Sequence, residues 1–293
     1  MNLLLTVLEI VAPVFLLAGL GFGWVKAGFE YRIQFVTRLS MNLAVPSLVF
    51  TALMQTQTDP AALGRLALAG LTGYALIAVA GGLLLAGAGL HQRTYLAPFI
   101  FGNTGNLGLP LALFAFGQPG LEQGVVMLAL TTLLSFTIGI RLVAGRGALG
   151  KMLREPMVWA ALLGGLFLWQ GWQTPHFLTN TLELVGQMAI PLMLITLGVA
   201  VARLTPGRTF TAIWLSVAKL AVCSIIAWGV GRAFGLSGIT FGVLVVQLAT
   251  PVAVTAYLLA EKYEADSSAV AGFVVISTLV SVIGLPILLA MVL

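Results

Sequence analysis

The residues best suited to binding a solute stand in two short polar segments within apolar stretches. The first reads Gly102-Asn103-Thr104-Gly105-Asn106-Leu107-Gly108-Leu109-Pro110, and the second reads Gln247-Leu248-Ala249-Thr250-Pro251. Proline lacks a backbone N–H and glycine lowers helix propensity. We therefore expect each segment to interrupt a helix and to leave backbone groups available to a solute.

The chemistry of these segments favours an anion. Neither contains Asp, Glu, Lys, Arg or His, whereas a cation antiporter would need a titrating carboxylate there. Side-chain amides and the positive ends of broken helices suit a small organic anion such as a carboxylate. The simpler alternative is a pair of proline kinks whose polar side chains cap local carbonyls. On the first interpretation, the predicted ligands are Asn103, Asn106, Gln247 and Thr250, and the predicted crossover or hinge residues are Gly105, Gly108, Pro110 and Pro251.

Composition places these segments in a membrane. The chain has 293 residues, of which 60% are hydrophobic and 8% are charged, against about 25% charged in ordinary soluble domains. This excludes a water-soluble globule. The single cysteine, Cys223, rules out an internal disulfide framework, and no metal or cofactor site is predicted. The basic residues are scattered and form no stripe, so no nucleic-acid partner is expected.

Apolar length and Gly, Pro and charge punctuation predict an all-α protein with ten transmembrane helices. Ten spans of about 20 residues would use about 200 residues, which leaves loops too short for a separate soluble domain. The predicted spans are 3–25, 35–55, 63–90, 95–117, 121–143, 156–171, 178–202, 210–233, 238–261 and 268–292.

With ten spans, most of the 14 basic residues fall on one side of the membrane. By the positive-inside rule that side is cytoplasmic, and both termini then lie on the periplasmic side of a bacterial inner membrane. The other side carries Arg65 and Arg232, and Lys219 lies inside the eighth span. The residues on the cytoplasmic side are Lys26, Arg32, Arg38, Arg93, Arg141, Arg146, Lys151, Arg154, Arg203, Arg208 and Lys262.

The chain also repeats itself at a spacing of about 143 residues. Pro13 recurs as Pro156, and Pro110 recurs near this spacing as Pro251. Five spans per repeat is an odd number, so we predict two repeats of opposite orientation, 1–145 and 146–293. Inverted repeats are typical of secondary transporters. The alternative is gene duplication in a static membrane protein.

Several motifs resemble those of the auxin efflux carrier family, which includes plant PIN carriers and bacterial malate or malonate permease-like members. They are Asn42-Leu43-Ala44-Val45-Pro46, the stretch from Asn103 to Pro110, the segment from Gln247 to Pro251 that continues to Tyr263, and the stretch from Ser277 to Pro286. The resemblance covers essentially the whole chain, without the long central loop of many plant members.

The resemblance implies the ten-helix inverted-repeat architecture of bile-acid symporters and sodium/proton antiporters. Spans 1, 2, 6 and 7 would form a scaffold that often joins a homodimer. Spans 3–5 and 8–10 would form a transport domain that moves like an elevator, with the fourth and ninth spans crossing at Pro110 and Pro251. Asn103 matches a substrate-contacting asparagine and Val45 a pocket-lining valine, while Asn106 has no counterpart in the plant pattern.

Ionisable residues within spans are candidates for ion coupling, and these are Glu9, Glu183 and Lys219. We expect Glu9 to lie near an interface and Lys219 to extend towards one, unless they face the bundle interior. The sequence thus predicts a secondary carrier, a probable efflux system, whose partners are a small organic anion and membrane lipid. The alternatives are a cation- or proton-coupled carrier of the same fold, an intramembrane enzyme, or a channel or receptor. The spans contain no HExxH, paired-aspartate or Ser/His motif, which argues against an enzyme.

Overall fold

The computed structural model describes residues 3–144, 155–204 and 209–293. These residues are helical apart from short connections, and within them extended pairing is limited to an isolated bridge between Gly102 and Val252. The boundary predicted between the two repeats, at 145 and 146, lies outside the described residues. So do Arg146, Lys151, Arg154 and Arg208 of the predicted cytoplasmic face.

We number the helices in chain order. They are α1 (Leu3–Lys26), α2 (Ile33–Leu39), α3 (Val45–Met54), α4 (Pro60–Gly87), α5 (Gln92–Ile100), α6 (Leu109–Leu134), α7 (Ile140–Ala144), α8 (Pro156–Gln170), α9 (His176–Gln187), α10 (Ala189–Arg203), α11 (Thr209–Ala233), α12 (Gly238–Leu248), α13 (Val254–Lys262) and α14 (Ser267–Val292). Three π-helical turns, Ser40–Ala44, Thr104–Gly108 and Ser135–Gly139, lead into α3, α6 and α7.

Seven helical stretches within the described residues are long and apolar enough to cross a membrane. Two shorter apolar helices, α8 and α12, accompany them. The all-α, transmembrane character predicted from composition is therefore confirmed, whereas the count of ten spans and the inverted repeat stay predictions. The seven stretches are Leu5–Lys26, Ile33–Met54, Pro60–Gly87, Thr104–Ala144, His176–Arg203, Thr209–Ala233 and Ser267–Val292.

The longest of these stretches changes direction at a glycine. Thr104–Ala144 contains 41 residues, and a straight helix of that length would extend about 60 Å, twice the thickness of a bilayer's hydrocarbon core. Gly117, inside α6, has φ 66° and ψ −156°, a conformation that L side chains rarely adopt. The fourth span was predicted to end at residue 117 and the fifth to begin at residue 121, so the turn lies at the predicted boundary between them.

Helix packing divides into two sets. In the first set, α1 packs closely on α10, and α3 packs on α8 and α9. In the second set, α11 packs on α14, α12 on α6, and α4 on both α5 and α11. A small apolar core lies between the sets, where α6 meets α3, α8 and α10. Its members are Ala44, Val45, Val49, Ala52, Leu53, Leu109, Leu121, Val125, Leu128, Met157, Ala160, Ala189 and Met193.

The outer surface of the bundle is apolar. Large hydrophobic side chains such as Leu16, Leu83, Phe210 and Ile283 are exposed along its helices. Apolar patches of this extent mark surfaces that contact something other than water. Together with the seven spanning stretches, they agree with an integral membrane protein.

Candidate substrate site

The two predicted interruptions meet each other in space. The first separates α5 from the π-helical turn Thr104–Gly108, and the second separates α12 from α13. Gly102 and Val252 pair in antiparallel fashion, and the backbone N–H of Asn103 donates to the carbonyl of Pro251 over 2.7 Å. Each broken helix therefore satisfies part of the other's free backbone in a region without water.

The first interruption does not lie at Pro110, where we predicted the crossover. The non-helical residues are 101–103, and α6 begins at Leu109. Pro110 is the second residue of α6, directly after the π-helical turn Thr104–Gly108, and so lies in the helix that follows the break. Pro251, in contrast, lies within the second interruption. The two prolines therefore occupy different positions relative to their breaks.

Asn103 is oriented by a local hydrogen bond. Its Oδ1 accepts from the backbone N–H of Asn106 over 3.2 Å and so caps the π-helical turn. The side chain is buried, and its Nδ2 has no hydrogen-bond partner among the described residues. Since the cap fixes which end of the amide is the oxygen, the atom left over is a donor.

Gln247, at the end of α12, is completely buried. Neither its Oε1 nor its Nε2 finds a hydrogen-bond partner in the described part of the chain. The amide lies against two glycines of the first broken helix and of α6. A Cβ at Gly108 would overlap Oε1, and a Cβ at Gly124 would lie 3.0 Å from Nε2. The glycines therefore make room for a polar group that has no polar partner.

Thr250 was predicted to be a ligand, but in the structure its hydroxyl bonds the backbone of its own segment. Its hydroxyl donates to the backbone carbonyl of Gln247 over 2.8 Å, and the side chain is fully buried. It also lies directly against Gly102, where a Cβ would overlap the Thr250 hydroxyl and approach its carbonyl oxygen to 2.9 Å. In the same segment, the N–H of Val252 donates to Ser277 Oγ over 3.0 Å.

The more accessible part of the crossing is formed by Gly105 and Asn106, which are half-buried. A Cβ at Gly105 would lie 3.1 Å from Met193 Cε and 3.5 Å from Leu128 Cδ1. Both of these residues belong to the small apolar core, as does the predicted pocket residue Val45. The crossing thus adjoins the apolar boundary between the two helix sets.

Lys219 of α11 does not extend to an interface, which corrects our expectation for it. Its side chain is 2% exposed, and its Nζ donates to the carbonyl of Phe99 in the last turn of α5 over 2.7 Å. A small cavity beside it is lined by Ser216, Lys219, Leu220, Ala249, Thr250, Pro251, Ser277, Val280 and Ser281. A formal positive charge therefore adjoins the second interruption, although the crossing segments contain none themselves.

The other two coupling candidates lie elsewhere. Glu9 is exposed on α1. Glu183 of α9 is half-buried and accepts a 2.6 Å hydrogen bond from Gln55 Nε2 at the end of α3. Sequence reasoning missed Glu122 and Gln123 of α6, which are 6% and 4% exposed. The sequence does contain an indication of this pair, because Glu122 is an acidic residue at the beginning of the apolar span 121–143.

The donor groups around the crossing outnumber the acceptors that they meet. Asn103 Nδ2 and Gln247 Nε2 are donors without partners in the described part of the chain, Gln247 Oε1 is the one such acceptor of these two amides, and Lys219 Nζ adds a further donor. Across residues 3–144, 155–204 and 209–293, no three His, Cys, Asp or Glu side chains are grouped so that they could hold a metal ion. This chemistry suits an anionic solute better than a cation.

Comparison with known proteins agrees with a transport role. Residues 148–289 match a family model described as membrane transport protein. An uncharacterized transporter of Methanothermobacter thermautotrophicus is 28% identical over 274 residues, covering 86% of each chain. An uncharacterized transporter of Methanocaldococcus jannaschii is 27% identical over 194 residues, covering 63% of each. Residues 148–289 thus resemble the membrane transport protein family, in agreement with the auxin efflux carrier-like family that the motifs of the chain resemble.

Proposed function

We propose that this membrane transporter is a secondary active carrier, with efflux as its direction, for a small organic anion bound where the two broken helices cross. The observation that carries the proposal is the pair of buried amide donors, Asn103 Nδ2 and Gln247 Nε2, without acceptors among the described residues. An unsatisfied buried polar group costs about 1–3 kcal/mol. A carboxylate offers several lone pairs and would relieve both.

The surroundings of the crossing support a carboxylate over a neutral or cationic solute. Lys219 places an N–H donor beside the last turn of α5, just before Asn103, where its Nζ donates to the carbonyl of Phe99. The interruptions themselves carry no acid that would repel an anion. Asn106 and Thr250 lie in the same segments, and Val45 and Met193 supply apolar surface at the boundary. An anion with an apolar body would match this mixture.

The packing pattern supports elevator-like alternating access. The closest helix contacts occur within the set α1–α3 and α8–α10 or within the set α4–α7 and α11–α14. These sets coincide with the scaffold and the transport domain that the family resemblance implies. The boundary between them is largely apolar, so one set can slide on the other without breaking many hydrogen bonds. Because Gly105 and Gly108 carry no side chain, the crossing segments could stay close to their neighbours Met193 and Gln247 during this movement.

The remaining parts of the proposal follow from sequence patterns. Two inverted five-helix repeats, 1–145 and 146–293, would exchange conformations during the cycle. The carrier would lie in a bacterial inner membrane with both termini on the periplasmic side. It would form a homodimer through the scaffold helices.

A proton- or cation-coupled cycle on the same fold is the second candidate. It is favoured by Lys219, an ionisable group in the interior beside the crossing, because intramembrane ionisable residues commonly serve proton or ion pathways. Glu183 and Glu9 are the weaker coupling candidates, since one is already hydrogen bonded to Gln55 and the other is exposed. Dependence of the flux on pH and on membrane potential distinguishes a coupled cycle from uncoupled anion transport.

Two variants at Asn103 test the site. Asn103→Asp keeps the oxygen that caps the π-helical turn and replaces the free donor by an anionic oxygen. Asn103→Ala removes both, and loss of an N-terminal cap costs about 1 kcal/mol. We expect both variants to lose carboxylate binding and to lower the melting temperature, Asn103→Asp because it buries an anionic oxygen without a donor and Asn103→Ala because the cap is lost.

The measurement is the thermal shift of purified protein with sodium salts of aliphatic and aromatic monocarboxylates and short dicarboxylates. Sodium chloride at equal ionic strength is the reference, because a ligand that binds the native state raises its melting temperature. Asn180→Asp, at an exposed position of α9, controls for the added charge. Carboxylate binding that survives both Asn103 variants would exclude the proposed site.

A further inference from the structure

Glu122 is a buried carboxylate that the proposed substrate site does not use. It is the sole ionisable residue of α6 and follows the sharp turn at Gly117. Its side chain is 6% exposed. Burying a carboxylate in an apolar protein is costly unless its oxygens are hydrogen bonded. The partners that Glu122 uses therefore indicate what it does.

Both partners belong to the segment that joins α3 to α4, residues 55–59. The hydroxyls of Thr56 and Thr58 donate to the same oxygen, Glu122 Oε2, with a distance of 2.9 Å for Thr58. The backbone N–H of Thr58 donates to Thr56 Oγ1 over 3.1 Å, which holds the two hydroxyls side by side. The segment is thus folded around the carboxylate.

This contact connects the two helix sets. Thr56 comes just after α3, which packs on α8 and α9, whereas Glu122 is on α6, which packs on α12 and α4. Residues 55–59 join α3 of the first set to α4 of the second, so a movement that displaced α3 from α6 would strain the contact of Thr56 with Glu122. The hydrogen bonds to Glu122 therefore oppose that movement.

Within the described residues, no Lys, Arg or His side chain forms an ion pair with Glu122. The nearest other acid of the segment is Asp59, whose Oδ1 caps α4 by accepting from the N–H of Ala61 over 3.0 Å. Glu183 is held by Gln55. The helices α3 and α12 and the π-helical turns beside α6 contain no ionisable residue. The ionisable residues of the other helices packed on α6, with their caps, are Glu9, Lys26, Arg65, Tyr74 and Glu155.

We propose that Glu122 couples protons to the transport cycle as a latch: in its ionised form it holds residues 55–59 against α6, and on protonation it releases them. This rests on the proposed alternating-access function. The ionised oxygen accepts both threonine hydroxyls in charge-assisted bonds, which are about twice as strong as neutral ones. Protonation of the other oxygen, Oε1, leaves Oε2 a neutral acceptor, so both hydrogen bonds lose their charge assistance and weaken.

Distance measurement across the latch tests this proposal without any substrate. Gln57 and Gln118 are exposed on either side of the contact. The single native cysteine, Cys223, is buried and can be replaced by serine. Spin labels at Gln57→Cys and Gln118→Cys in a Cys223→Ser background, reconstituted in liposomes, report the separation in acidic and in neutral buffer.

We expect a longer-distance population to grow in acid for the otherwise wild-type protein. Glu122→Gln carries a neutral amide in place of the carboxylate, so it should show that population equally at both pH values. A pH response that persists in Glu122→Gln, or that is absent from the protein with Glu122, would overturn the latch.

Two further variants separate the latch from a general loss of structure. Thr56→Val with Thr58→Val removes the donors and should also produce the longer distance at both pH values. Glu183→Gln changes another acid held by the same segment and should keep the pH response; if it abolishes that response, Glu183 and not Glu122 is the sensor. These outcomes are independent of carboxylate binding, so failure of the latch and failure of the substrate site are distinguishable.

Discussion

The two helix interruptions contain similar residues but satisfy their backbones in different ways. In the first, the amide of Asn103 caps the following turn, and Gly105 and Asn106 remain half-buried. In the second, the hydroxyls of Thr250 and Ser277 bond the backbone, and the amide of Gln247 is left without a partner. The comparison teaches that a polar residue beside a proline has no fixed role. The amide of Asn103 caps the backbone because no hydroxyl of the described residues does so there. The amide of Gln247 has no partner among these residues because hydroxyl groups already bond the backbone of its segment.

We expect the largest loss of stability from a substitution where the two interruptions approach most closely. Gly102→Ala places a methyl group against the hydroxyl and the backbone carbonyl of Thr250. Because a backbone atom cannot be displaced cheaply, we expect the melting temperature to fall, with a loss of about 1–3 kcal/mol in the free energy of unfolding. Thermal unfolding in detergent measures this.

Gly82→Ala is the matched control, since nothing lies within 4 Å of a Cβ at that position of α4. It should be neutral or slightly stabilising, because alanine has the higher helix propensity. If the Gly102 and Gly82 variants unfold alike, the interruptions do not touch as described.

Replacing the unpartnered amide of the second interruption should have a smaller effect on stability, and this effect should be a gain. Gln247→Met keeps approximately the size and shape of the side chain and removes two buried polar atoms that have no partner among the described residues. We expect the free energy of unfolding to rise by about 1 kcal/mol. Carboxylate-induced thermal shifts should disappear in the same variant.

A stability that falls in Gln247→Met would mean that the amide has a partner in the folded protein and does not await a solute. Gln123→Met is a useful comparison, because Oε1 of that side chain is also buried without a partner among the described residues, and the residue lies outside the two interruptions. Its substitution should leave carboxylate binding unchanged.

The smallest effect is expected at Pro110. Since this proline lies in the helix after the break and not in the break itself, Pro110→Ala should change the free energy of unfolding by less than about 1 kcal/mol. Pro251→Ala relaxes the backbone within the second break and should destabilise more. Equal thermal shifts for the two variants would contradict the different positions of the prolines.

Much of the fold was predictable because it depends on local composition. Long apolar stretches predicted transmembrane helices, and glycine with proline predicted interruptions in the two segments where they occur. The exact position of the first break was not predictable. Proline is equally compatible with a break and with the first turn of the following helix, and the choice depends on the pairing of Gly102 with Val252.

The polar residues of the site show the same limit. Their presence and lack of formal charge could be read from the chain, as could the glycines that later prove to accommodate Gln247. The orientation of Lys219 could not, because a lysine in an apolar helix can extend to an interface or turn inward. Its inward position follows from the carbonyl of Phe99, which is distant in sequence.

By itself, the sequence determined that this protein spans a membrane and carries two uncharged polar interruptions, because hydropathy and helix-breaking are properties of neighbouring residues. Only the tertiary structure decided that the interruptions meet, that Lys219 adjoins them, and that Glu122 is held by Thr56 and Thr58. These relations join residues far apart along the chain. The hydrogen bonds among them follow from the cost of leaving a buried polar group unpaired where water is excluded.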